Sequence, residues 1–289
     1  MITLVLSILS STVIFVIFKL FTKFKIDTFQ AIVFNYLTAF TCGFALYGNE
    51  WNSQATQNLA WFPWAFLCAI LFISLFVIMG WSSQTNGLGK TSVAVKMSMA
   101  VSVLGMIWWY NEDYSLIKIG GIVCAFLGVA LVSKPDQVDS GTSVKASWML
   151  PVLFFGSGLL DLVLKNVETT QLKYISSALF AAVGFGLAGI IGLIFLSIQV
   201  FRGQMKFEWK NVLAGVILGI PNYFSIYLLI EAYHKIAWES STILAVNNVS
   251  IVLISGILGF TLFKERLNAI KILGVALSVS AILLLLWGS

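Results

Sequence analysis

Charge is scarce in this sequence. Only 10% of its 289 residues are Asp, Glu, Lys or Arg, against about 25% in soluble domains, and that excludes an ordinary water-soluble globule. Histidine occurs once, as His234, and cysteine three times, as Cys42, Cys68 and Cys124, with no ligand spacing among them. Neither a metal site nor a disulfide framework is expected, and the cysteines read as small packing residues. HExxH, GxSxG, a phosphate-binding loop and a cysteine–histidine pair are all missing, and the polar connections are too short for a soluble catalytic domain. Enzymatic chemistry, a cofactor and ATP-driven work within this chain are therefore not expected. "GFGLAG" (Gly184–Gly189) matches a dinucleotide fingerprint only as a string, since it lies in an apolar run with no preceding strand. No basic segment and no small-x-small site precede Lys19, so the first apolar run reads as a retained helix rather than a leader.

What the chain has in abundance is apolar sequence, 59% of its residues. It is arranged in runs of about 17–25 residues, the length that crosses a ~30 Å hydrocarbon layer as a helix. The expected spans are Ile2–Leu20, Gln30–Tyr47, Phe62–Trp81, Thr91–Trp109, Leu116–Ser133, Trp148–Leu164, Tyr174–Val200, Val212–Ile230, Ser240–Phe263 and Ala269–Trp287. The runs are continuous rather than alternating, which excludes a β-barrel. Trp51, Trp61, Trp64, Trp81, Trp148 and Trp209 stand near span ends, as interfacial anchors do. The fold expected is an all-α polytopic membrane protein of ten transmembrane helices.

The connections are asymmetric in charge. One face collects Lys19, Lys23, Lys25, Lys90, Lys134, Lys145, Arg202, Lys206, Lys210, Lys264, Arg266 and Lys271, while the other holds Lys118, Lys165, Lys173 and Lys235. The positive-inside tendency puts the first set in the cytoplasm of an inner (plasma) membrane protein, with both termini outside. The net charge of +5 thus reads as topology and contact with anionic headgroups, with no case for nucleic acid. Lipids and a small-molecule substrate are the expected partners, and monomer and homodimer both stay open.

The two halves repeat. "IKIGG" (Ile117–Gly121) meets "IKILG" (Ile270–Gly274) at an offset of 153, and Glu112 falls on Glu265 at that same offset. "TSVAVK" (Thr91–Lys96) lies over "TILAVN" (Thr242–Asn247), "STVIFVIFK" (Ser11–Lys19) over "SGLLDLVLK" (Ser157–Lys165), and Phe72 and Phe76 over Tyr223 and Tyr227. Five spans per copy is an odd number, so the repeats, 1–140 and 141–289, are expected to be inverted. Inverted repeats place a site at their interface near the midplane and permit alternating access.

This layout resembles the drug/metabolite transporter superfamily in its EamA-like branch. The resemblance rests on the glutamate-terminated fourth and ninth spans, "WWYNED" and "FTLFKERLN", and on "IKIGGIVCAFLGVALVSKP" and "IKILGVALSVSAILLL" after them. It implies a cavity lined by spans one, three, four, six, eight and nine, with spans five and ten peripheral. It also implies export or exchange of small metabolites.

Few polar groups lie within the spans, and an ionisable one there costs at least ~2.5 kcal/mol at a helix centre. Lys96 is about six residues into span four, roughly 9 Å deep at ~1.5 Å per residue. It either snorkels or faces the cavity as a positive charge for a carboxylate or phosphate, with Ser92 and Met99 sharing its face. Its repeat partner is Asn247, beside Asn248; one amide is expected to reach substrate and the other to bond a neighbouring helix. Asp161, the carboxylate inside span six, either pairs with Lys165 at i+4 or binds a coupling proton. A direct Lys96–Asp161 pairing requires tilted or broken helices. Tyr223, Tyr227 and Glu231 line one side of span eight, as packing or as cavity wall, and Pro221 beside Asn222 marks a kink and candidate hinge. Asn35 is expected to make an interhelical hydrogen bond. Glu112 and Glu265 read as structural, fixing the turns into helices capped by Ser115 and Asn268. Gly121/Ala125, Gly274/Ser278 and Gly215/Gly219 read as close-packing pairs.

The function these features support is secondary transport of a small polar or amino-acid-like solute by alternating access. An anion or phosphorylated-metabolite exchanger, a lipid-headgroup flippase and a membrane assembly protein remain alternatives.

Overall fold

A continuous apolar segment in lipid must satisfy its own backbone, and a helix is the local way to do so. The computed structural model describes residues 1–51, 53–110, 115–133, 148–171, 174–236, 240–265 and 268–287, and these form helices and connecting turns with no strand among them. The helices are α1 (Ile2–Phe24), α2 (Thr28–Tyr47), α3 (Ser53–Gln57), α4 (Phe62–Thr85), α5 (Leu88–Met97), α6 (Met99–Tyr110), α7 (Leu116–Ser133), α8 (Met149–Thr170), α9 (Ser177–Phe201), α10 (Trp209–Lys235), α11 (Ser240–Phe263) and α12 (Ala269–Trp287).

Seven helical segments are long and apolar enough to cross a membrane: Ile2–Phe24, Thr28–Glu50, Leu59–Thr85, Leu88–Trp109, Ser177–Phe201, Trp209–Leu229 and Val246–Phe263. Leu116–Leu131, Met149–Leu164 and Ala269–Leu285 are shorter apolar helices at three further expected spans. The fourth expected span runs as two consecutive helices, α5 and α6, that meet at Ser98, where the backbone keeps right-handed helical angles (φ −52°, ψ −23°) and only the local hydrogen bonding is irregular.

Helix starts follow the capping chemistry of the sequence. Asp27 accepts from the Gln30 N–H at 2.8 Å to begin α2. Ser115 and Asn268 cap α7 and α12 as expected, accepting from Lys118 N at 3.2 Å and Lys271 N at 2.9 Å.

Packing gathers helices around α1 and around α8, and the two sets meet where α5 packs along α11 and α1 on α4. α1 lies on α10 and α11, and α8 lies on α4, α5 and α6. α2 and α9 pack on each other and bridge the sets, α2 through α10 and α9 through α4. α7 and α12 pack chiefly on one another. Their seam is made by small residues, with Gly121 against Leu285 and Ala281 and Gly128 against the α12 backbone at Gly274. Between α2 and α10 the approach is equally close. A Cβ added at Gly219 would stand 2.6 Å from Thr38 Cβ and 2.7 Å from the Asn35 carbonyl oxygen.

That approach corrects the expectation for Asn35. It is fully buried, but its side-chain amide has no hydrogen-bonding partner. The glycines bring backbone rather than polar side chain against α2 here.

The bundle has two unlike ends. At the lysine-rich end, where Lys19, Lys23 and Lys25 leave α1, the α1–α2 and α9–α10 connections are tied together. Gln30 donates to the Lys206 carbonyl at 2.7 Å and accepts from Asn211 at 3.0 Å, while Asn211 accepts from Asp27 N at 3.0 Å. At the other end α2 runs into Tyr47 and Glu50, and Trp61 is buried in a small apolar cluster with Ala55, Cys68 and Ile175, donating to the Ala55 carbonyl at 3.0 Å.

Candidate functional site

The tyrosines of α10 stand at the second end. Their four-residue spacing puts them on one face of the helix, and in the structure Tyr223 and Tyr227 stack with centroids 6.1 Å apart at 15°. Tyr47, from the end of α2, joins them 5.9 Å from Tyr227. Gly43 makes room for this, since a Cβ there would come within 3.0 Å of the Tyr223 ring. These rings wall a cavity of about 280 Å³, completed by Glu50, Ser176, Ser177, Phe185 and Glu231. Glu231 forms an i,i+4 ion pair with Lys235 at the mouth. The carboxylate holds the Lys235 ammonium above its ordinary range. Charged side chains lining this cavity, among the described residues, are both acidic.

A second polar cluster lies at the helix junction in the fourth span. Ser98 donates to the Val95 carbonyl at 2.7 Å, so its hydroxyl competes for backbone where α5 gives way to α6. Four residues on, Ser102 donates to Asp161 Oδ2 on α8 at 3.0 Å. Gly158 permits this, because a Cβ there would stand 2.5 Å from Val101 Cβ and 2.9 Å from the Ser98 carbonyl oxygen. Lys96 and Asp161 are electrostatic neighbours across the same junction, although they form no ion pair within contact distance.

The adjacent amides separate as their positions on α11 require. Asn247 is buried at the α1 contact, its Oδ1 3.4 Å from the Ser7 hydroxyl, which itself donates to the Ser225 carbonyl at 2.8 Å. Asn248 points the other way and reaches Met99 Sδ at 3.8 Å, beside the junction. Ser92 is fully buried in the α5–α11 seam, accepting from Ser255 at 2.6 Å and donating to the Gly89 carbonyl at 2.9 Å. Pro221 sits within α10, which runs unbroken from Trp209 to Lys235.

The nominated residues therefore form two groups. Tyr223 and Tyr227 line the cavity; Lys96, Asp161 and Asn248 surround the junction; Asn247 and Ser92 lie in helix seams. Glu112 and the Lys165 partner considered for Asp161 lie outside the described side chains, as does His234, whose backbone belongs to α10 rather than to a loop.

A family model for the EamA-like transporter family matches residues 147–287. An uncharacterized protein of Haemophilus influenzae is 30% identical over 285 residues, covering 96% of this chain and 95% of its own. The chain belongs to the EamA-like transporter family. Members of the EamA-like family are transporters of small solutes rather than enzymes. One solved crystal structure, 11% identical, shares the fold with a TM-score of 0.58 over 96% of each chain.

For this EamA-like chain, sequence reading missed Tyr47 and Glu50, which looked like a span end, and Ser98 and Ser102. The signal for the serines was present as two hydroxyls four apart in "MSMAVS", Met97–Ser102. The greatest surprise is Glu265. Its carboxylate leaves its own turn and accepts from Leu88 N at 2.8 Å, capping α5 from the other half of the chain.

Proposed function

We propose that this chain is a secondary transporter that carries a small amino-acid-like or amine solute by alternating access. The observation carrying the reading is the tyrosine-walled cavity of about 280 Å³, near the lower edge of the roughly 300–1,000 Å³ typical of ligand pockets. Its aromatic faces suit a ring or an ammonium group, and Glu50 favours a positive or zwitterionic solute, the Glu231 carboxylate being already paired with Lys235. Lys96 had favoured an anion, but Asp161 beside it offsets that charge, so the anion-exchange reading loses its main support.

In this reading the three shorter apolar helices complete a set of ten spans, and residues 1–140 and 141–289 are inverted five-helix repeats, each of which contributes helices to both packed groups. The pairing of helices supports it: α1 on α10 is matched by α8 on α4, and α1 on α11 by α8 on α5 and α6. The match is not complete: α1 also packs on α5 and α2 on α4, with at most marginal counterparts among the described residues. α1 packs on α4, whereas the equivalent α8 and α10 touch at most marginally among the described residues. That is the asymmetry of a transporter open at one end and shut at the other. The lysine-rich, shut end is cytoplasmic by the positive-inside rule, which leaves the cavity facing outward. Asp161, tied to the junction in span four, is the group on which a coupling proton would act.

The test is a thermal-shift series with tyramine, tyrosine and 4-hydroxyphenylacetate, which share a ring and differ in charge, followed by proteoliposome uptake. Binding raises the melting temperature by mass action. Tyramine or tyrosine is expected to stabilise the chain and to accumulate in the liposomes. Stabilisation by 4-hydroxyphenylacetate alone would return the anion reading, and no uptake of a stabilising ligand would remove transport.

A further inference from the structure

Resting on the alternating-access reading, we propose that Glu265 is the latch that holds the lysine-rich end shut, and that its release is the step that opens that end to the cavity.

Glu265 follows α11, and its backbone closes that helix. Its N–H donates to the Gly259 carbonyl at 2.9 Å after Lys264 turns into the left-handed region at φ 52°. The turn throws the side chain across the bundle onto the start of α5. There Oε1 accepts from Leu88 N at 2.8 Å and Oε2 lies 3.5 Å from Gly89 N. Lys19 of α1 approaches the same carboxylate at 3.6 Å. Two glycines keep the seat clear. A Cβ at Gly87, whose φ is +100°, would stand 2.6 Å from Oε1, and one at Gly259 would stand 2.5 Å from Oε2. A carboxylate on a helix N-terminus is favourable electrostatically as well as through its hydrogen bonds.

The position of this contact makes it a latch rather than an ordinary cap. α1 packs on α11, and α4 and α5 pack on α8; the two sets meet along the α5–α11 seam and where α1 lies on α4, and Glu265 with Lys19 ties that interface at the lysine-rich end. Its neighbours tie the same interface. Lys19 donates to the Gln84 carbonyl at 3.2 Å, and Gln84 donates to Thr28 Oγ1 at 2.7 Å. Gly80 of α4 lies so close to Phe18 and Thr28 that a Cβ would meet them at 3.0 Å and 2.7 Å. At the cavity end the corresponding helices, α8 and α10, lack such packing among the described residues. Every contact in the cluster is thus available only while this end is closed. The carboxylate is also the shared partner of a cation and a helix start, so losing it weakens two ties at once.

The experiment reads both ends together and needs no substrate. The full chain, with Cys42, Cys68 and Cys124 replaced by alanine, is reconstituted in nanodiscs carrying one reporter, S83C or S177C. Ser83 lies buried on α4 near the latch and its hydroxyl has no partner, so the reporter removes no hydrogen bond. Ser177 lines the cavity at the far end. Labelling by a polar maleimide is compared with Glu265 intact, with E265A and with G259A, which displaces the carboxylate without removing it. Either variant is expected to raise labelling of S83C about tenfold and to slow S177C as the population shifts. Faster S83C labelling with S177C unchanged would mean local fraying and overturn the latch, as would no change at either site. G259A carries the test where E265A fails to fold. If the labels move together but wild-type liposomes take up no solute, the latch stands and the transport reading falls.

Discussion

Ser102 on α6 donates a hydrogen bond to Asp161 on α8, 3.0 Å from hydroxyl to Oδ2, immediately beyond the junction at Ser98. The bond ties the helix junction within span four to the carboxylate expected to couple transport. Irregular points in spanning helices are common where transporters place their ion and substrate sites, which supports the proposal that Ser98, Ser102 and Asp161 act together.

The first consequence concerns coupling. D161N keeps an oxygen to accept from Ser102 but cannot exchange a proton. Uptake by this variant is expected to persist without responding to an imposed pH gradient, measured in proteoliposomes loaded with the solute found by thermal shift. An unaltered response to the gradient would take Asp161 out of the coupling step.

The second concerns the charges of Lys96 and Asp161. An ionised side chain at the centre of a span costs about 2.5–3.5 kcal/mol, and each of these neighbours reduces the cost of the other. K96M alone strands Asp161 and is expected to lower the melting temperature in detergent. K96M combined with D161N is expected to recover at least half of that loss, although both lose transport. If the double variant melts no higher than K96M, the two charges act independently.

The third tests close approach at the junction. G158A would push α8 away from Val101 and the Ser98 carbonyl, and overpacking of this kind costs about 1–3 kcal/mol. G120A is the control, because a Cβ there meets nothing within 4 Å. Thermal unfolding should separate the two clearly, with G120A close to wild type.

Much of this was readable from the chain itself. Ten apolar runs in a sequence with 10% charge left no soluble alternative. The N-caps at Ser115 and Asn268 and the small-residue seam at Gly121 and Ser278 also followed from residue type and spacing, because each depends on neighbours within one or two helical turns. Asn35 shows the limit, for its local context promised an interhelical bond and the opposing glycines offered only backbone.

Helix and family are properties of runs and periods, so the amino-acid order was enough to point to them and to the seven segments long and apolar enough to cross a membrane. Which polar groups meet is another matter, because it depends on helices hundreds of residues apart in sequence and on the angle at which they cross. Lys96 and Asp161 become electrostatic neighbours only where α8 packs on α5 and α6. Tyr47 joins Tyr223 and Tyr227 only where α2 packs along α10. Glu265 looked like the end of its own turn, and it reaches the start of α5, 177 positions away, because the folded bundle brings those two helix ends together with two glycines between them.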